Sequence, residues 1–137
     1  MVDSISITNN RSISAGSIDI DSTDLNNTAD IFSNSTINVS VANLTNESGA
    51  KIKSYAGNFN VTANQLINNG EFDVDNDLSI TATNLTNSGQ IDSNDLTIQT
   101  TNDLNNSGDI TANAIQLMVD NQLSVSYTHL TLPTSQL

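Results

Sequence analysis

Two nearly identical stretches decide the fold: NLTNSGQIDSNDLTIQT at residues 84–100 and NDLNNSGDITANAIQLMV at residues 102–119. In each, a leucine is followed after one residue by asparagine, serine and glycine. A polar residue and isoleucine come next, and then two apolar residues two positions apart. Because similar units recur along most of the chain, and periods near 20 residues are typical of stacked arrays, the sequence indicates a repeat protein.

The apolar residues set the period of the repeat. The first position of each unit is separated from the next by 19, 22, 19, 19 and 19 residues in the series Leu25, Leu44, Leu66, Leu85, Leu104 and Leu123, and Ile7 extends it backwards by 18. A second apolar position follows at Ile13, Ile31, Ile52, Phe72, Ile91 and Ile110. An alternating pair then completes each unit: Ile18/Ile20, Ile37/Val39, Phe59/Val61, Leu78/Ile80, Leu96/Ile98 and Ile115/Leu117. These positions define six complete units and the start of a seventh.

The spacing within each unit predicts strands, because residues two apart share one face of a β-strand. One unit cannot bury its apolar side chains alone, whereas stacked units bury them against the rungs above and below. Rungs stacked as parallel strands are about 4.8 Å apart. The sequence therefore predicts an all-β protein: a single-stranded parallel β-helix of about six rungs of 18–22 residues, roughly 30 Å long.

A glycine or its equivalent occupies a corner of most rungs. Four rungs carry it in the strings NESG, NNG, NSG and NSG, at Gly49, Gly70, Gly89 and Gly108. We expect these glycines to supply the positive φ that tight corners require.

Asparagine recurs beside the same corner. The chain holds 22 asparagines, and those at the corner include Asn68, Asn69, Asn87, Asn105 and Asn106. Identical amides stacked along an axis can form a hydrogen-bonded ladder. Alternatively, asparagine is present because it tolerates turn geometry. The sequence leaves both interpretations open.

Composition narrows the classes of partner. There are 15 acidic residues against three basic ones, Arg11, Lys51 and Lys53, so the formal net charge is -12. Such a charge repels phosphate backbones and anionic lipids, so we expect no nucleic-acid partner. No apolar run has the length of a membrane span, so we expect no membrane insertion. The chain has no cysteine, and disulfides and thiolate metal sites are therefore excluded.

Candidate catalytic and metal-binding residues are few. His129 is the only histidine, and it has no recognisable partner for nucleophilic catalysis. The acidic runs 73–77 and 19–24 lack the glycine of a calcium loop, which favours solvent-facing strand residues. We therefore predict no catalytic, cofactor-binding or metal-binding residue, and no enzyme. A β-helical polysaccharide hydrolase using two carboxylates from different rungs is the less favoured alternative.

The longest rung, residues 44–65, is the one local irregularity in the repeat. It gathers Glu47, Lys51, Lys53 and Tyr55. Insertions in stacked repeats map to loops, and loops often bind ligands. An exposed tyrosine beside lysines could contact a sugar, whereas the simpler interpretation is a tolerated bulge.

The end of the chain departs from the repeat. After Leu123 the next rung should contain asparagine and glycine, but the sequence reads SVSYTHLTLPTSQL. The string VSYTHLTLPT is similar to a tail that ends unrelated proteins translated from assembled sequence. We therefore predict a shaft domain at residues 1–124 and a non-native translated adapter at residues 125–137; a native end cap is the alternative.

The rung pattern resembles the haemagglutinin repeat of the filamentous haemagglutinin family, which consists of large bacterial exoproteins. The strings LTNSGQI, LNNSGDI and INNGEFDV carry the resemblance, together with the strand ends LSITA and FNVTA. It covers about residues 5–124. The resemblance implies a right-handed β-helical shaft exported by two-partner secretion through an outer-membrane transporter. Members act as adhesins, often in virulence, or as stalks of contact-dependent growth inhibition toxins.

The resemblance also shapes the functional expectation. The opening MVDSISITNN has no basic and apolar leader, so we expect an internal fragment of a secreted or cell-surface protein. Neither a secretion domain, through which the transporter would be engaged, nor a toxin module is recognisable. We predict a structural shaft that projects a distal adhesive or toxic tip. The alternative is an adhesin module that itself binds a host or bacterial receptor or a glycan.

Overall fold

The computed structural model describes residues 5–125 and the backbone of residues 130 and 131. All regular structure in these residues is β, and no helix of membrane-spanning length and hydropathy occurs among them. The strands are β1 Ser6–Asn9, β2 Ile13–Ala15, β3 Ile18–Asp21, β4 Asp24–Asn27, β5 Asp30–Ser33, β6 Ile37–Ser40, β7 Asn43–Asn46, β8 Lys51–Ser54, β9 Phe59–Asn68, β10 Glu71–Val74, β11 Leu78–Asn87, β12 Gln90–Thr100, β13 Leu104–Asn106, β14 Asp109–Val119, β15 Leu123–Val125 and β16 Leu130–Thr131.

The strands form three stacks in which every pairing is parallel. The first stack contains β1, β4, β7, β13, β15 and the second halves of β9 and β11. The second contains β2, β5, β8, β10, β16 and the first halves of β12 and β14. The third contains β3, β6, the first halves of β9 and β11 and the second halves of β12 and β14. The predicted parallel β-solenoid of about six turns is confirmed.

The repeated leucines lie directly above one another in the first stack. From Leu25 to Leu123 each is the Cα partner of the next. From Leu25 to Leu104 their side chains are at most 2% exposed. Burying one such side chain contributes about 1.5–3 kcal/mol, so the column is a main source of stability. Exposure rises to 49% at Leu123 and 39% at Ile13, which lie in the outermost described rungs.

Buried amides form a second column, which we call the asparagine ladder. In each step the Nδ2 of one asparagine donates to the Oδ1 of the next, at 2.7–2.9 Å. The members are at most 6% exposed, and they are Asn9, Asn27, Asn46, Asn68, Asn87 and Asn106. The ladder interpretation is thus confirmed, although Asn69 and Asn105 lie beside the ladder rather than in it.

The glycine corners differ from the expectation in their physical cause. Among described residues only Gly49 has a positive φ, at 85°. The expectation is therefore wrong for Gly70, Gly89 and Gly108. At Gly89 an added Cβ would overlap the carbonyl oxygen of Gly70 and lie 2.7 Å from the carbonyl carbon of Asn69. These corners need glycine because adjacent rungs approach too closely for a side chain.

This close approach brings two backbone donors to one acceptor. The N–H groups of Ser88 and Gly89 both donate to the carbonyl of Asn68, at 2.9 and 3.0 Å. The corners at Gly70 and Gly108 make the same pair of bonds to the rung below. Gly49 belongs to a longer corner, and it is Ala50 that stacks beneath Gly70, because Lys51 pairs with Glu71.

The segment 125–137 is only partly described. Val125 pairs with Asn106 and so takes the next place in the asparagine ladder, where it ends the run of amides. Strand β16 pairs with β14 through Leu130 and Ile110. The other residues of the segment lie outside the described part of the chain, and its origin as a translated adapter stays a prediction.

Candidate functional site

One face of the solenoid carries both lysines of the chain and their ion pairs. We call it the charged face, and it consists of the outward positions of the second stack and its adjoining corner. Alternation along β5, β8 and β10 points every second side chain outward. The face carries six carboxylates and two ammonium groups, and its members are Asp30, Phe32, Lys51, Lys53, Tyr55, Glu71, Asp73, Asp75, Gln90, Asp92, Asp109 and Thr111.

Lys53 lies at the centre of the charged face. Its Nζ is 3.1 Å from Asp73 Oδ2 and 3.0 Å from Asp75 Oδ1, and its side chain is only 15% exposed. Burial lowers the pKa of Lys53, but the hydrogen bonds to Asp75 and Asp73 outweigh this effect, and the net pKa is raised. Lys53 is therefore a cation at neutral pH, and the carboxylates of the next rung neutralise it.

Two aromatic rings lie near this cation. The centroids of Phe32 and Tyr55 are 6.1 Å apart with their planes tilted by 58°. The Nζ of Lys53 lies 4.7 Å from the centroid of the Tyr55 ring, within the range of a cation–π contact. Phe32 and Lys53 are Cα partners on adjacent rungs, so both hold the Tyr55 ring from one neighbouring column. Tyr55 remains 46% exposed.

Lys51 makes a more solvated pair. Its Nζ is 3.3 Å from Glu71, and both side chains are about one-third exposed, at 36% and 29%. Pairs of this kind contribute about 0–1 kcal/mol. Lys51 also lines a groove of about 490 Å³ that runs along the corner over the backbone of Gly70, Gly89 and Gly108.

Asp92 is the next carboxylate in the column above Asp73. Burial raises the pKa of Asp92, and the negative charges of Asp73 and Glu71 raise it further. A carboxyl whose folded pKa exceeds its unfolded value stabilises the fold when protonated. This stabilisation is lost as pH rises from the unfolded value, 3.8, through the folded one.

Replacing Asp92 with asparagine is therefore expected to raise the thermal midpoint of unfolding at pH 7. The gain should shrink and vanish below about pH 3.8, where the carboxyl is protonated in both states. Thermal melts monitored by circular dichroism between pH 3 and pH 7 check this. Asp95→Asn at an exposed position of the same strand removes the same charge and controls for the overall charge of -12. An equal gain in both variants would show that the local column is irrelevant.

The residues singled out from the sequence are distributed unevenly over the structure. Lys51 and Lys53 belong to strand β8 rather than to the expected loop, and Tyr55 lies at the corner that follows it. Glu47 lies at the opposite corner, where its carbonyl accepts from the N–H of Ala50 at 2.9 Å. The insertion is thus divided between two corners, and the strand between them continues the stack.

The other candidate residues have structural partners in the fold. In the run 73–77, Val74 is 3% exposed and turns into the core, while Asp73 and Asp75 hold Lys53. Asp19 accepts a hydrogen bond from Asn38 at 2.7 Å. Among the described residues no three acidic or histidine side chains are grouped to hold a metal ion. His129 lies outside the described residues.

Sequence reasoning missed Phe32 and Asp92 as members of the charged face. Their link to Lys53 and Asp73 depends on register, and neighbouring rungs here are offset by 21, 20 and 19 residues at Phe32–Lys53–Asp73–Asp92. Only the buried column Ile31–Ile52–Phe72–Ile91, one position before, signals that alignment in the sequence.

Comparison with known proteins adds no relative. No protein-family model, curated protein or solved structure matches the chain. The β-solenoid fold is therefore established by strand register and burial, and the haemagglutinin-repeat resemblance rests on the repeated strings alone.

Proposed function

We propose that the chain is a shaft segment of a large secreted bacterial surface protein of the haemagglutinin-repeat type, and that it is not an enzyme. The observation that carries the proposal is the unbroken register of its rungs. Each leucine from Leu25 to Leu123 is the Cα partner of the next, and the asparagine ladder runs beside this column. A stack of equivalent rungs can be lengthened by adding further rungs.

A rod of this kind can hold a load at a fixed distance. Each rung contacts only its neighbours and adds about 4.8 Å, so the length is proportional to the number of rungs. We propose that the load is an adhesive or toxic tip elsewhere in the parent protein. Export would use an outer-membrane transporter of the two-partner secretion type, and the segment would work outside the cell.

Distance measurements test whether the chain is a rigid rod. Asp19 and Gln116 lie in one outward column, five rung steps apart. Because the chain has no cysteine, Asp19→Cys and Gln116→Cys can carry spin labels without competing sites. A shaft should give a narrow distribution of backbone separation near 24 Å, and duplicating one 19-residue rung should add about 5 Å. A broad distribution, or an unchanged distance after duplication, would contradict the proposal.

An export assay tests the secretion part separately. The whole chain is fused behind a two-partner secretion domain and produced with or without the matching transporter. The proposal expects protease-resistant chain outside the cell only when the transporter is present. Retention inside the cell in both cases would reject it, even if the isolated chain is a rod. A Gly89→Ala version of the same chain serves as a control, because its added Cβ would disturb one corner of the stack.

A further inference from the structure

One corner glycine differs from the others in the residue before it. Gly70 follows Asn69, whereas the glycines at the equivalent corners of the next two rungs, Gly89 and Gly108, follow serine. No other asparagine in the chain precedes a glycine. An asparagine–glycine step is chemically labile, because glycine has no side chain to keep its amide nitrogen from the asparagine side chain. The sequence therefore places its most labile peptide step at a tight corner of the stack.

The reaction of such a step, deamidation, uses only the chain and water. The amide nitrogen of Gly70 would lose its proton to solvent base and attack the Cγ of Asn69. The Cγ–Nδ2 bond breaks, and the nitrogen takes up a proton from water and leaves as ammonia. Water then opens the resulting five-membered imide at either of its two carbonyls. The products are aspartate and isoaspartate at position 69.

The fold engages both reacting groups with other partners. The N–H groups of Asn69 and Gly70 donate to the carbonyl of Asn46, at 2.8 and 3.1 Å. The Gly70 N–H is thus bonded to the rung below, which disfavours loss of its proton. The side-chain carbonyl of Asn69 accepts from the hydroxyl of Ser88 at 2.6 Å. The electrophile is therefore held towards the rung above.

The corner also leaves no room for the movement that ring closure needs. A Cβ added at Gly70 would overlap the carbonyl oxygens of Glu47 and Ala50. A Cβ added at Gly89 would overlap the carbonyl oxygen of Gly70, which accepts from the N–H of Gln90 at 2.8 Å. Gly70 is therefore held by the rungs on both sides, and ring closure requires these rungs to separate.

We propose that Asn69 is a deamidation site that the rung stack keeps closed and that opens when the stack separates. The rate of modification through an opened state is proportional to the population of that state. Isoaspartate adds a backbone carbon to a corner that has no room for a Cβ, so a modified rung cannot restack. Unfolding thereby becomes irreversible. The site goes beyond the shaft role and does not depend on it.

Ageing the whole chain in its folded and unfolded states tests the proposal. Samples are held in one mildly alkaline buffer with or without guanidinium chloride. The peptide containing position 69 is then analysed by mass spectrometry for the mass gain of deamidation. In the unfolded chain Asn69 should react before Asn84, which precedes leucine, and in the folded chain it should react at least about tenfold more slowly. Equal rates in the two states would overturn the proposal.

Two glycine variants test whether the tight corner is the cause of protection. Gly89→Ala should raise the rate at Asn69 in native buffer, because the added Cβ separates the rungs that hold Gly70. Gly16→Ala should leave this rate unchanged, since its Cβ meets no atom within 4 Å. If melting curves show that Gly89→Ala is unfolded, Ser88→Ala replaces it, because that change removes the hydroxyl bonded to Asn69. An unchanged rate in the folded variant would contradict protection by the corner.

Refolding tests the consequence of the modification. Chains aged in guanidinium chloride are returned to native buffer, and the folded and unfolded fractions are separated and analysed. Isoaspartate should be found in the unfolded fraction alone. Asn69→Ser gives this corner the residue present at Ser88 and Ser107, and after the same ageing it should refold with the yield of a fresh sample. Isoaspartate in the refolded fraction would show that the corner tolerates it, and the proposal would be wrong.

Discussion

Replacing Gly89 with alanine is expected to destabilise the protein by about 2–4 kcal/mol. The added Cβ would overlap the carbonyl oxygen of Gly70, and these are backbone atoms that cannot rotate away. Relief requires the rungs to separate, which weakens the bonds from Ser88 and Gly89 to the Asn68 carbonyl. Chemical denaturation and thermal melts measure the loss, and a fall in melting temperature of about 10 °C corresponds to it.

A second glycine provides the matched control. An added Cβ at Gly16 meets no atom within 4 Å, and its φ lies outside the positive range. Gly16→Ala should therefore be neutral, or stabilising by up to about 1 kcal/mol, because alanine restricts the unfolded chain. If the two variants were equally stable, close approach would not be the reason for glycine at this corner.

Gly49 and Gly89 show where sequence reasoning succeeds and fails, because, of these two corner glycines, only Gly49 has a positive φ. The spacing of Leu66 and Leu85 was sufficient to predict stacked strands, because burial on one face forces a fixed register. The sequence also placed Gly89 at a corner. From the sequence alone, a position that requires glycine for its positive φ cannot be distinguished from one that requires glycine because adjacent rungs approach closely. Only the positions of the Gly70 backbone atoms decide between them.

The charged face was harder to predict for a related reason. Outward positions carry no periodic apolar signal, so their alignment between rungs must be inferred from the buried positions beside them. The longest rung adds residues at two corners, and strand β8 lies between the insertions. Which residues become partners of Lys53 therefore depends on how many residues each corner contains. Tyr55 stands out in the sequence because the longest rung contains it, whereas no sequence signal marks Phe32 as its neighbour.

The asparagine ladder is the strongest local requirement for register. Each buried amide has one donor directed to the next rung and one acceptor directed to the previous one, so a rung shifted by one residue would bury unpaired polar groups. Leucine burial would tolerate some apolar substitution at the neighbouring column. The ladder therefore specifies one arrangement, while the apolar core supplies most of the stability.

Replacing Asn68 with aspartate is expected to cost about 3–5 kcal/mol at pH 7, since it places an unpaired charge in the core. Asn68 is 0% exposed, accepts from Asn46 at 2.9 Å and donates to Asn87 at 2.8 Å. An ionised carboxyl of nearly the same shape keeps the first bond but faces the Asn87 oxygen without a proton. Chemical denaturation at pH 7 measures the loss of unfolding free energy.

Acid should partly restore the stability of the Asn68→Asp variant, because a protonated carboxyl can again donate to Asn87. Burial and the opposing oxygen raise the folded pKa of the introduced group, so the missing stability returns as pH falls through that pKa. Asn60→Asp tests the same change in a solvated stack, where Asn60 donates to the exposed Asn38 at 3.0 Å. It should cost under about 1 kcal/mol, since water replaces the lost partner. Equal losses at both positions, or no acid recovery relative to the unaltered chain, would mean that the buried ladder does not govern register.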